Sequence, residues 1–186
     1  MIEDEKIIEM FFERSEQGIR ELDIKYGKVC HKLSYNIVNS RQDAEECVND
    51  AYLGTWNAIP PQRPDPLLPF VCVLVRRYSI MRYRANTAMK RNSSYDACME
   101  EIENCIAAPG RVEDHYEAKV LARTIERFLD TLNRENRVIF MRRYWYSDSY
   151  AAIAALTGLT EKNVSVRLAR VRKQLRDYLM KQGVLT

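Results

Sequence analysis

The chain has 186 residues, of which 46% are hydrophobic and 30% are charged, a composition typical of a globular protein with one or two small domains. No apolar run approaches the roughly 20 residues that a membrane-spanning helix needs. The N-terminal segment is acidic and lacks a signal-peptide cleavage pattern. We therefore expect a soluble protein that resides in the cytoplasm.

The sequence lacks the residue patterns of an enzyme. Its two histidines, His31 and His115, have no evident Ser, Cys or carboxylate constellation, and no Walker loop or GxGxxG motif occurs. The five cysteines include no CxxC spacing, so reduced, packed thiols are expected. A metal site combining Cys98, Cys105 and His115 is conceivable, but the spacing fits no usual zinc pattern. We therefore expect no catalysis, no metal and no cofactor.

Charge is unevenly distributed along the chain. The formal net charge is +3, but residues 1–58 sum to −5, residues 59–94 to +6, residues 95–117 to −6 and residues 118–186 to +8. Two basic blocks separated by an acidic strip indicate two contacts with a polyanion. Ordinary solvated helix surface is the alternative, and the charges alone leave both interpretations open.

The N-terminal half of the sequence predicts helices with one interruption. Apolar residues recur every three or four positions over 19–37, and again after Asp43, which predicts two helices. The sequence PPQRPDPLLP at 60–69 ends the second, because proline lacks an amide hydrogen and disfavours helix in the residue before it. A third helix is predicted over about 67–88. Its FVCVLV segment could alone be a buried strand, but the spacing of the following residues favours a helix.

One side of the helix that starts near Asp43 is acidic. Asp43, Glu46 and Asp50 lie at positions i, i+3 and i+7, with Glu45 and Asn49 beside them. Because this charge repels nucleic acid, the face is expected to meet a basic protein surface or only solvent. On sequence alone, solvent is favoured.

The next helix contains RRYSIMRYRANTAMKR at 76–91, in which basic and aromatic residues alternate. Basic side chains neutralise phosphates, and aromatic, arginine and asparagine side chains contact bases that have left a duplex. The candidates are Arg76, Arg77, Tyr78, Tyr83 and Asn86. Alternatively, both tyrosines belong to the core, and Tyr78 is expected there because it is in register with Leu74 and Met81.

Residues 93–117 are predicted to link two domains, 1–92 and 118–186. The segment lacks a sustained apolar stripe, and its acidic residues are followed by AAPGR. Short helical pieces are compatible with it, but we expect a flexible, extended and poorly packed linker. Beyond it the helical pattern returns, with capping residues at Asn133, in SDS at 147–149 and at Thr160.

The sequence YAAIAALTGLTEKNVSVRLAR at 150–170 has the spacing of a helix-turn-helix. Ala154 allows close helix approach, Gly158 accepts a left-handed turn conformation, and Val164 fills the shared core. The second helix fits the DNA major groove, with its first turns nearest the bases. Its free side carries Lys162, Asn163, Ser165, Arg167, Arg170, Lys173 and Gln174. A plain helical hairpin with a basic surface is the alternative.

Three segments in this order resemble bacterial sigma factors: DAEECVNDAYLGTWNAIPPQRP, RRYSIMRYRANTAMKR and RVIFMRRYWYSDSYAAIAALTGLTEKNVSVRLARVRKQLRDYL. The resemblance covers about 19–92 and 118–182 and is to the extracytoplasmic-function (group IV) class, which keeps only a sigma-two and a sigma-four domain. It implies an all-α fold in which a sigma-two-like bundle and a sigma-four-like helix-turn-helix are joined by the flexible acidic linker.

The resemblance implies a role for each surface. The acidic helix would dock on the clamp coiled coil of RNA polymerase through Asp43, Glu45, Glu46, Asn49 and Asp50, with Trp56 packing nearby. The loop at 60–69 and the start of the next helix would hold flipped minus-ten bases. The DNA backbone there would be followed by Arg76, Arg77, Arg82 and Arg84. The duplex minus-thirty-five element would be read by Lys162, Asn163, Ser165, Arg167 and Arg170.

The resemblance also implies partners and a cellular role. These are core RNA polymerase, promoter DNA, an anti-sigma factor, and control of a stress or envelope-response regulon. In the family the linker runs near the polymerase active site, where the acidic Glu100, Glu101 and Glu103 would suit a basic channel.

The sequence departs from the family pattern in two places. Phe70-Val71 stand where many members have Trp-Leu, and Arg77 stands where they have Asn, so the minus-ten sequence is not predicted. Residues 1–18 have no clear counterpart, and no extra C-terminal domain is expected.

Two other functions stay open. A stand-alone helix-turn-helix regulator would dimerise on duplex DNA without polymerase, and an adaptor would bind partners through its acidic helix and RNA through its basic patches. The block at 43–91 favours the sigma factor, because a simple repressor has no use for it.

Overall fold

The computed structural model describes residues 2–86, 94–106 and 115–185. Within these ranges the chain forms nine α-helices and no β-strand, so the predicted all-α class is confirmed. The helices are α1 (Asp4–Phe12), α2 (Gln17–Val38), α3 (Arg41–Ala58), α4 (Leu67–Asn86), α5 (Ser94–Ile106), α6 (His115–Thr131), α7 (Arg134–Tyr144), α8 (Tyr150–Thr157) and α9 (Glu161–Lys181). None of the described helices is long and apolar enough to cross a membrane.

The chain divides into two compact units, Met1–Ser93 and Ser94–Thr186. In the first unit, α2, α3 and α4 pack against one another around a core of aliphatic side chains. That core includes Leu22, Leu33, Ile37, Val48, Ala51, Val71 and Val75. Gly54 lets α3 and α4 approach closely, since a Cβ atom there would lie 3.2 Å from the Tyr78 hydroxyl oxygen. Tyr78 is therefore part of this packing, as its helical register predicts.

The start of α3 is set by a capping serine. Ser40 Oγ accepts a hydrogen bond from the Asp43 amide at 3.3 Å, which satisfies one of the amides left unpaired at a helix N-terminus. The helix consequently begins at Arg41, two residues before the predicted start. The strand alternative for FVCVLV is excluded, since those residues lie within α4.

Helix α1 lies in the segment for which the sequence offered no family counterpart. Ile7 and Phe11 of this helix are fully buried, and α1 packs mainly on α2. The Phe11 ring also meets the Trp56 ring edge-on, with 6.1 Å between centroids. Helix α1 is thus an integral part of the first unit.

The second unit contains α5 to α9 and two groups of buried side chains. One group is Cys105, Phe128, Leu132, Phe140, Val171, Leu175 and Leu179. The other is Ile139, Ile153, Ala154, Val164 and Leu168. Helix α9 contributes side chains to both groups and is therefore the central helix of the unit. Each large aliphatic side chain that it buries stabilises the fold by about 1.5–3 kcal/mol.

The three predicted caps of this unit are confirmed. Asn133, Ser149 and Thr160 each accept a hydrogen bond from the backbone amide three residues later, at 2.9, 3.2 and 3.2 Å. These bonds fix where α7, α8 and α9 begin. Gly158, the C-cap of α8, has a φ of 71° in the left-handed region, as the turn requires.

Part of the predicted linker is folded. Residues 94–106 form α5, which packs on α7 and α9 and buries Cys98 and Cys105. The expectation of an extended, poorly packed segment is therefore wrong for 94–106. Of the rest of the predicted linker, 93 and 107–114 lie outside the described residues, and α6 already begins at His115.

A cluster of hydrogen bonds around Glu101 explains why α5 packs there. Its carboxylate accepts bonds from Arg143 at 2.6 and 3.3 Å and from Arg172 at 3.0 Å. The hydroxyl groups of Tyr144 and Tyr150 donate at 3.1 and 2.8 Å. Glu101 thus neutralises cations from α7 and α9, instead of presenting its charge to a polymerase channel.

Burial and bonding act in opposite directions on the pKa of Glu101. Burial alone would raise this pKa, because a low-dielectric environment disfavours the ionised carboxylate. Hydrogen bonds from Arg143 and Tyr150, together with the Arg143 charge, outweigh burial and hold the pKa below its ordinary value of 4.5. Burial would likewise lower the pKa of Arg143, but its bond to Glu101 raises it. Both groups are therefore charged at neutral pH.

Replacing Glu101 with alanine should lower the free energy of unfolding of the second unit by about 3–5 kcal/mol, the cost of leaving a buried cation unpaired. The cation is Arg143, of which only 4% is exposed. Urea unfolding followed by Trp145 fluorescence, in a Trp56→Phe background, measures this. Glu100→Ala removes an exposed carboxylate from the same helix and should change it by less than about 0.5 kcal/mol. Equal effects of the two substitutions would contradict this role of Glu101.

The lowered pKa of Glu101 also predicts a pH dependence. A carboxylate with a depressed folded-state pKa stabilises the folded state fully above its unfolded pKa, and this contribution is lost as pH falls through the folded value. Unfolding of the second unit should therefore become easier as pH falls below 4.5, the ordinary value of the Glu101 pKa. In Glu101→Gln the decline over that window should be shallower, and an unchanged decline would count against the proposed ionisation.

Candidate polymerase and nucleic-acid interfaces

Helix α3 presents the predicted acidic face in two parts. Glu45, Asn49 and Asp50 are exposed, whereas Asp43 and Glu46 are half-buried. The opposite side of α3, which includes Ala44 and Val48, is buried in the bundle. The two exposed acids, Glu45 and Asp50, therefore lie on the side of α3 that faces away from the bundle.

The two half-buried acids of α3 are bound by an arginine of α4. Arg82 Nη2 lies 2.7 Å from Glu46 Oε2, and Arg82 Nη1 lies 3.4 Å from Asp43 Oδ1. The Asn86 amide adds a hydrogen bond of 3.2 Å to Asp43. The structure thus brings one predicted minus-ten residue, Arg82, onto two predicted polymerase-binding residues. This pairing weighs against Arg82 as a direct phosphate contact.

The exposed side of α4 carries both basic and apolar side chains. Arg77 and Arg84 are exposed, with Val73 and Met81 on the same helical stripe at 50% and 57% exposure. The sequence expected Met81 in the core; it faces outward because Val75 and Ser79 occupy the buried side. Arg76, by contrast, is half-buried. Guanidinium groups beside apolar side chains can contact both the phosphates and the faces of unpaired bases.

The helix-turn-helix geometry follows the predicted spacing. Val164 is fully buried and Ala154 is 8% exposed, so these two residues hold α9 against α8. The remaining side of the first turns of α9 faces outward. Lys162, Asn163 and Arg170 are exposed, and Ser165 and Arg167 are half-buried.

Arg167 is oriented by an acidic residue of α7. Its Nη1 lies 2.7 Å from Glu135 Oε2, and 34% of the Arg167 side chain is exposed. Exposed pairs of this kind stabilise a protein by about 1 kcal/mol or less, so their main consequence is orientation. The sequence had no signal for this pair, because the two residues are 32 positions apart.

An exposed apolar side chain extends the acidic face of α3. Leu53 is 58% exposed and lies one turn beyond Asn49 and Asp50. With Trp56, and with Ile19 and Arg20 of α2, it lines a shallow groove. Leu53 was not predicted as part of this surface; the signal for it is an apolar residue outside the buried stripe of α3.

Within the part of the chain that the structure describes, no group of three His, Cys, Asp or Glu side chains is arranged to hold a metal ion. Cys98 and Cys105 are buried within the second unit. Burial raises the pKa of the Cys105 thiol and disfavours its thiolate, the form that binds metals. The side chain of His115, the third candidate, lies outside the described residues.

Comparisons with known proteins match both units. The family model for sigma-70 region 2 matches residues 24–89, and the model for sigma-70 region 4 matches residues 122–175. The ECF RNA polymerase sigma factor SigE of Mycolicibacterium smegmatis (strain ATCC 700084 / mc(2)155) is 22% identical over 163 residues. That alignment covers 88% of this chain and 62% of SigE, so the chain spans less than two thirds of that relative.

One solved structure is also similar. The structure of CnrH in complex with the cytosolic domain of CnrY is 20% identical, with 96% of this chain and 97% of that chain covered and a TM-score of 0.41. Together the region 2 and region 4 models match well over half of the sequence, and they fall in order on the two units described above. The chain belongs to the sigma-70 family.

Proposed function

We propose that this protein is a sigma factor that directs RNA polymerase to promoters, opens the DNA there and allows transcription to begin. The observation that carries the proposal is the pairing of an outward acidic helix, α3, with a basic helix, α4, in one unit, and a helix-turn-helix in the other. A duplex-binding regulator needs only the last of these. The polymerisation chemistry belongs to the partner enzyme.

The first unit would bind polymerase through the exposed residues of α3. Glu45, Asn49 and Asp50 form the polar part of this surface, and Leu53 supplies an adjacent apolar contact. A partner that fits carries basic residues beside an aliphatic side chain. Asp43 and Glu46 would contribute mainly by holding Arg82.

The same unit would stabilise separated DNA strands. Unstacking a base step costs a few kcal/mol, and a protein lowers that cost by binding the displaced bases and their phosphates. Arg77 and Arg84 of α4 are exposed for phosphate contact, with Met81 between them to cover a base. The loop at 60–66 would hold the flipped bases.

The second unit would bind intact duplex upstream. The first turns of α9 would enter the major groove, where Lys162, Asn163 and Arg170 can reach base edges or phosphates. Arg167, held by Glu135, has its guanidinium fixed for one such contact.

We also propose that the protein acts in the cytoplasm, that an anti-sigma factor covers these binding faces, and that it controls a stress or envelope-response regulon.

Run-off transcription with bacterial core RNA polymerase and a promoter library tests the function. We expect transcripts whose start sites share upstream sequence elements only when the protein is present. Duplex binding by the protein alone, with no effect on transcription, would instead indicate a stand-alone helix-turn-helix regulator.

Substitutions in the two units should separate the two activities. Asp50→Lys should weaken core polymerase binding by about tenfold, because it places a repulsive charge on the docking face, and should leave duplex affinity unchanged. Arg170→Ala should weaken minus-thirty-five binding by about 1–3 kcal/mol if it reads a base edge.

Equilibrium binding to core polymerase and to duplex DNA measures both effects. Glu126→Lys on α6 and Arg176→Ala later on α9 are matched controls, since both residues are exposed. If Asp50→Lys and Arg170→Ala change only duplex affinity, the role of α3 is wrong.

Arg84 and Arg82 of α4 should differ in their contribution to DNA binding. Arg84→Ala should reduce the salt dependence of holoenzyme binding to single-stranded minus-ten DNA by about one counterion, as expected for a phosphate contact. Arg82→Ala should leave that slope nearly unchanged and destabilise the first unit by about 1 kcal/mol or less, because its ion pairs are partly exposed. Fluorescence anisotropy over a salt series checks this, and equal slopes for the two variants would contradict it.

A further inference from the structure

Helix α1 contacts the proline-rich loop that joins α3 to α4. The loop spans residues 59–66, between the last residue of α3 and the first of α4. The matched sigma-70 region 2 covers 24–89 and therefore contains the loop but not α1. Arg63 joins the middle of the loop to α1, and two further contacts hold the helix ends on either side of the loop.

The two helix ends that flank the loop are held by the N-terminal segment. In the last turn of α3, the Trp56 carbonyl accepts a hydrogen bond from the guanidinium of Arg14, just after α1, and that guanidinium lies 5.4 Å from the centroid of the Trp56 ring. At the first residue of α4, Asp4 Oδ2 accepts a bond of 3.4 Å from the amide of Leu67. Asp4 is itself fixed by Lys25 and Tyr26, at 2.7 and 2.6 Å.

The middle of the loop is held through Arg63. Its Nη2 lies 2.8 Å from Glu9 Oε1 and its Nη1 lies 3.7 Å from Glu5 Oε1. Its guanidinium also covers the Phe12 ring, 4.7 Å from the centroid. These partners lie one turn apart on one face of α1, so together they restrain the guanidinium in position and in tilt.

We propose that α1 positions the base-capturing loop, with Arg63 as a positioning residue that Glu5, Glu9 and Phe12 hold for minus-ten recognition. This inference rests on the proposed function, in which the loop holds flipped bases. A loop of eight residues that is held in its middle at Arg63, between two helix ends that are also held, has fewer conformations to lose when bases enter. Selectivity at the minus-ten element would then depend on residues that never touch DNA.

A direct DNA contact by Arg63 is the competing role, and the geometry disfavours it. Two carboxylates and an aromatic face already contact the guanidinium, and 47% of the Arg63 side chain is exposed. The two roles predict opposite effects for the acidic partners. If Arg63 positions the loop, removing the Glu5 and Glu9 charges loosens the loop. If Arg63 contacts DNA directly, removing them frees its positive charge for DNA.

The test uses the full-length protein bound to core RNA polymerase and a fork-junction DNA library whose unpaired minus-ten strand is randomised. Selection with the wild-type holoenzyme first identifies the preferred strand. Affinities for that strand and for its single mismatches are then measured for Glu5→Gln/Glu9→Gln, for Arg63→Lys, and for Glu13→Gln as a matched control. Glu13 is exposed and follows α1 directly, outside the three contacts.

The double variant should lose about two- to fivefold of the preference for the selected strand, the scale expected for partly exposed ion pairs. Arg63→Lys should lose a similar amount, since lysine keeps the charge but not the planar group over Phe12. Glu13→Gln should behave as wild type, and core polymerase affinity should be unchanged in all variants.

Other outcomes would overturn the proposal. Tighter binding of every strand by the double variant means that Arg63 is a DNA contact that the acids restrain. An unchanged preference means that α1 does not position the loop, and a parallel loss of core polymerase affinity means that it supports the whole unit. If the wild-type protein fails to bind core polymerase, the proposed function itself is contradicted, and this inference with it.

Discussion

Ion pairs between neighbouring helices decide which charged residues of this chain remain available to its partners. Arg82 is bound by Asp43 and Glu46, and Arg143 and Arg172 are bound by Glu101. These groups cross-link helices within a unit, because an unpaired charge that is partly buried is costly. On the three proposed binding helices, the charged residues that stay exposed include Glu45 and Asp50 of α3, Arg77 and Arg84 of α4, and Lys162 and Arg170 of α9.

The two elements outside the matched sigma-70 regions share a role in this arrangement. Helix α1 precedes region 2 and supplies carboxylates to an arginine of the loop before α4. Helix α5 precedes region 4 and supplies Glu101 to arginines of α7 and α9. In each unit, a helix that precedes the matched region therefore supplies acidic side chains to arginines inside that region: two carboxylates to one arginine in the first unit, and one carboxylate to two arginines in the second.

The sequence predicted those features that depend on local signals. The caps at Asn133, Ser149 and Thr160 and the left-handed Gly158 each follow from residue type at a fixed offset, and the proline run ended α3 near its true boundary. Buried faces of long helices were predictable for the same reason. Met81 was an exception. Its helical spacing from Leu74 and Tyr78 suggested the core, but Val75 and Ser79 occupy the buried side of α4 and Met81 is exposed.

Features that depend on distant residues could not be predicted. Glu101 lies 42 positions from Arg143 and 71 from Arg172, so the sequence near 94–106 did not show which helices α5 would pack against. The pairing of Arg82 with Glu46, 36 positions away, was hidden for the same reason. The sequence alone presents Arg82 and Glu46 as surface charges, because it does not show whether the partner of a charged residue lies within the protein or on another molecule. The site residues on α3, α4 and α9 stay predictions until binding is measured.

We propose that the exposed acids of α3 bind RNA polymerase, and the decisive measurement is the affinity of the purified protein for core enzyme over a series of salt concentrations. We expect a saturable one-to-one complex that weakens as salt rises, because salt screens exposed charges far more than buried ones. The absence of a complex at low salt, or an affinity independent of salt, would contradict it.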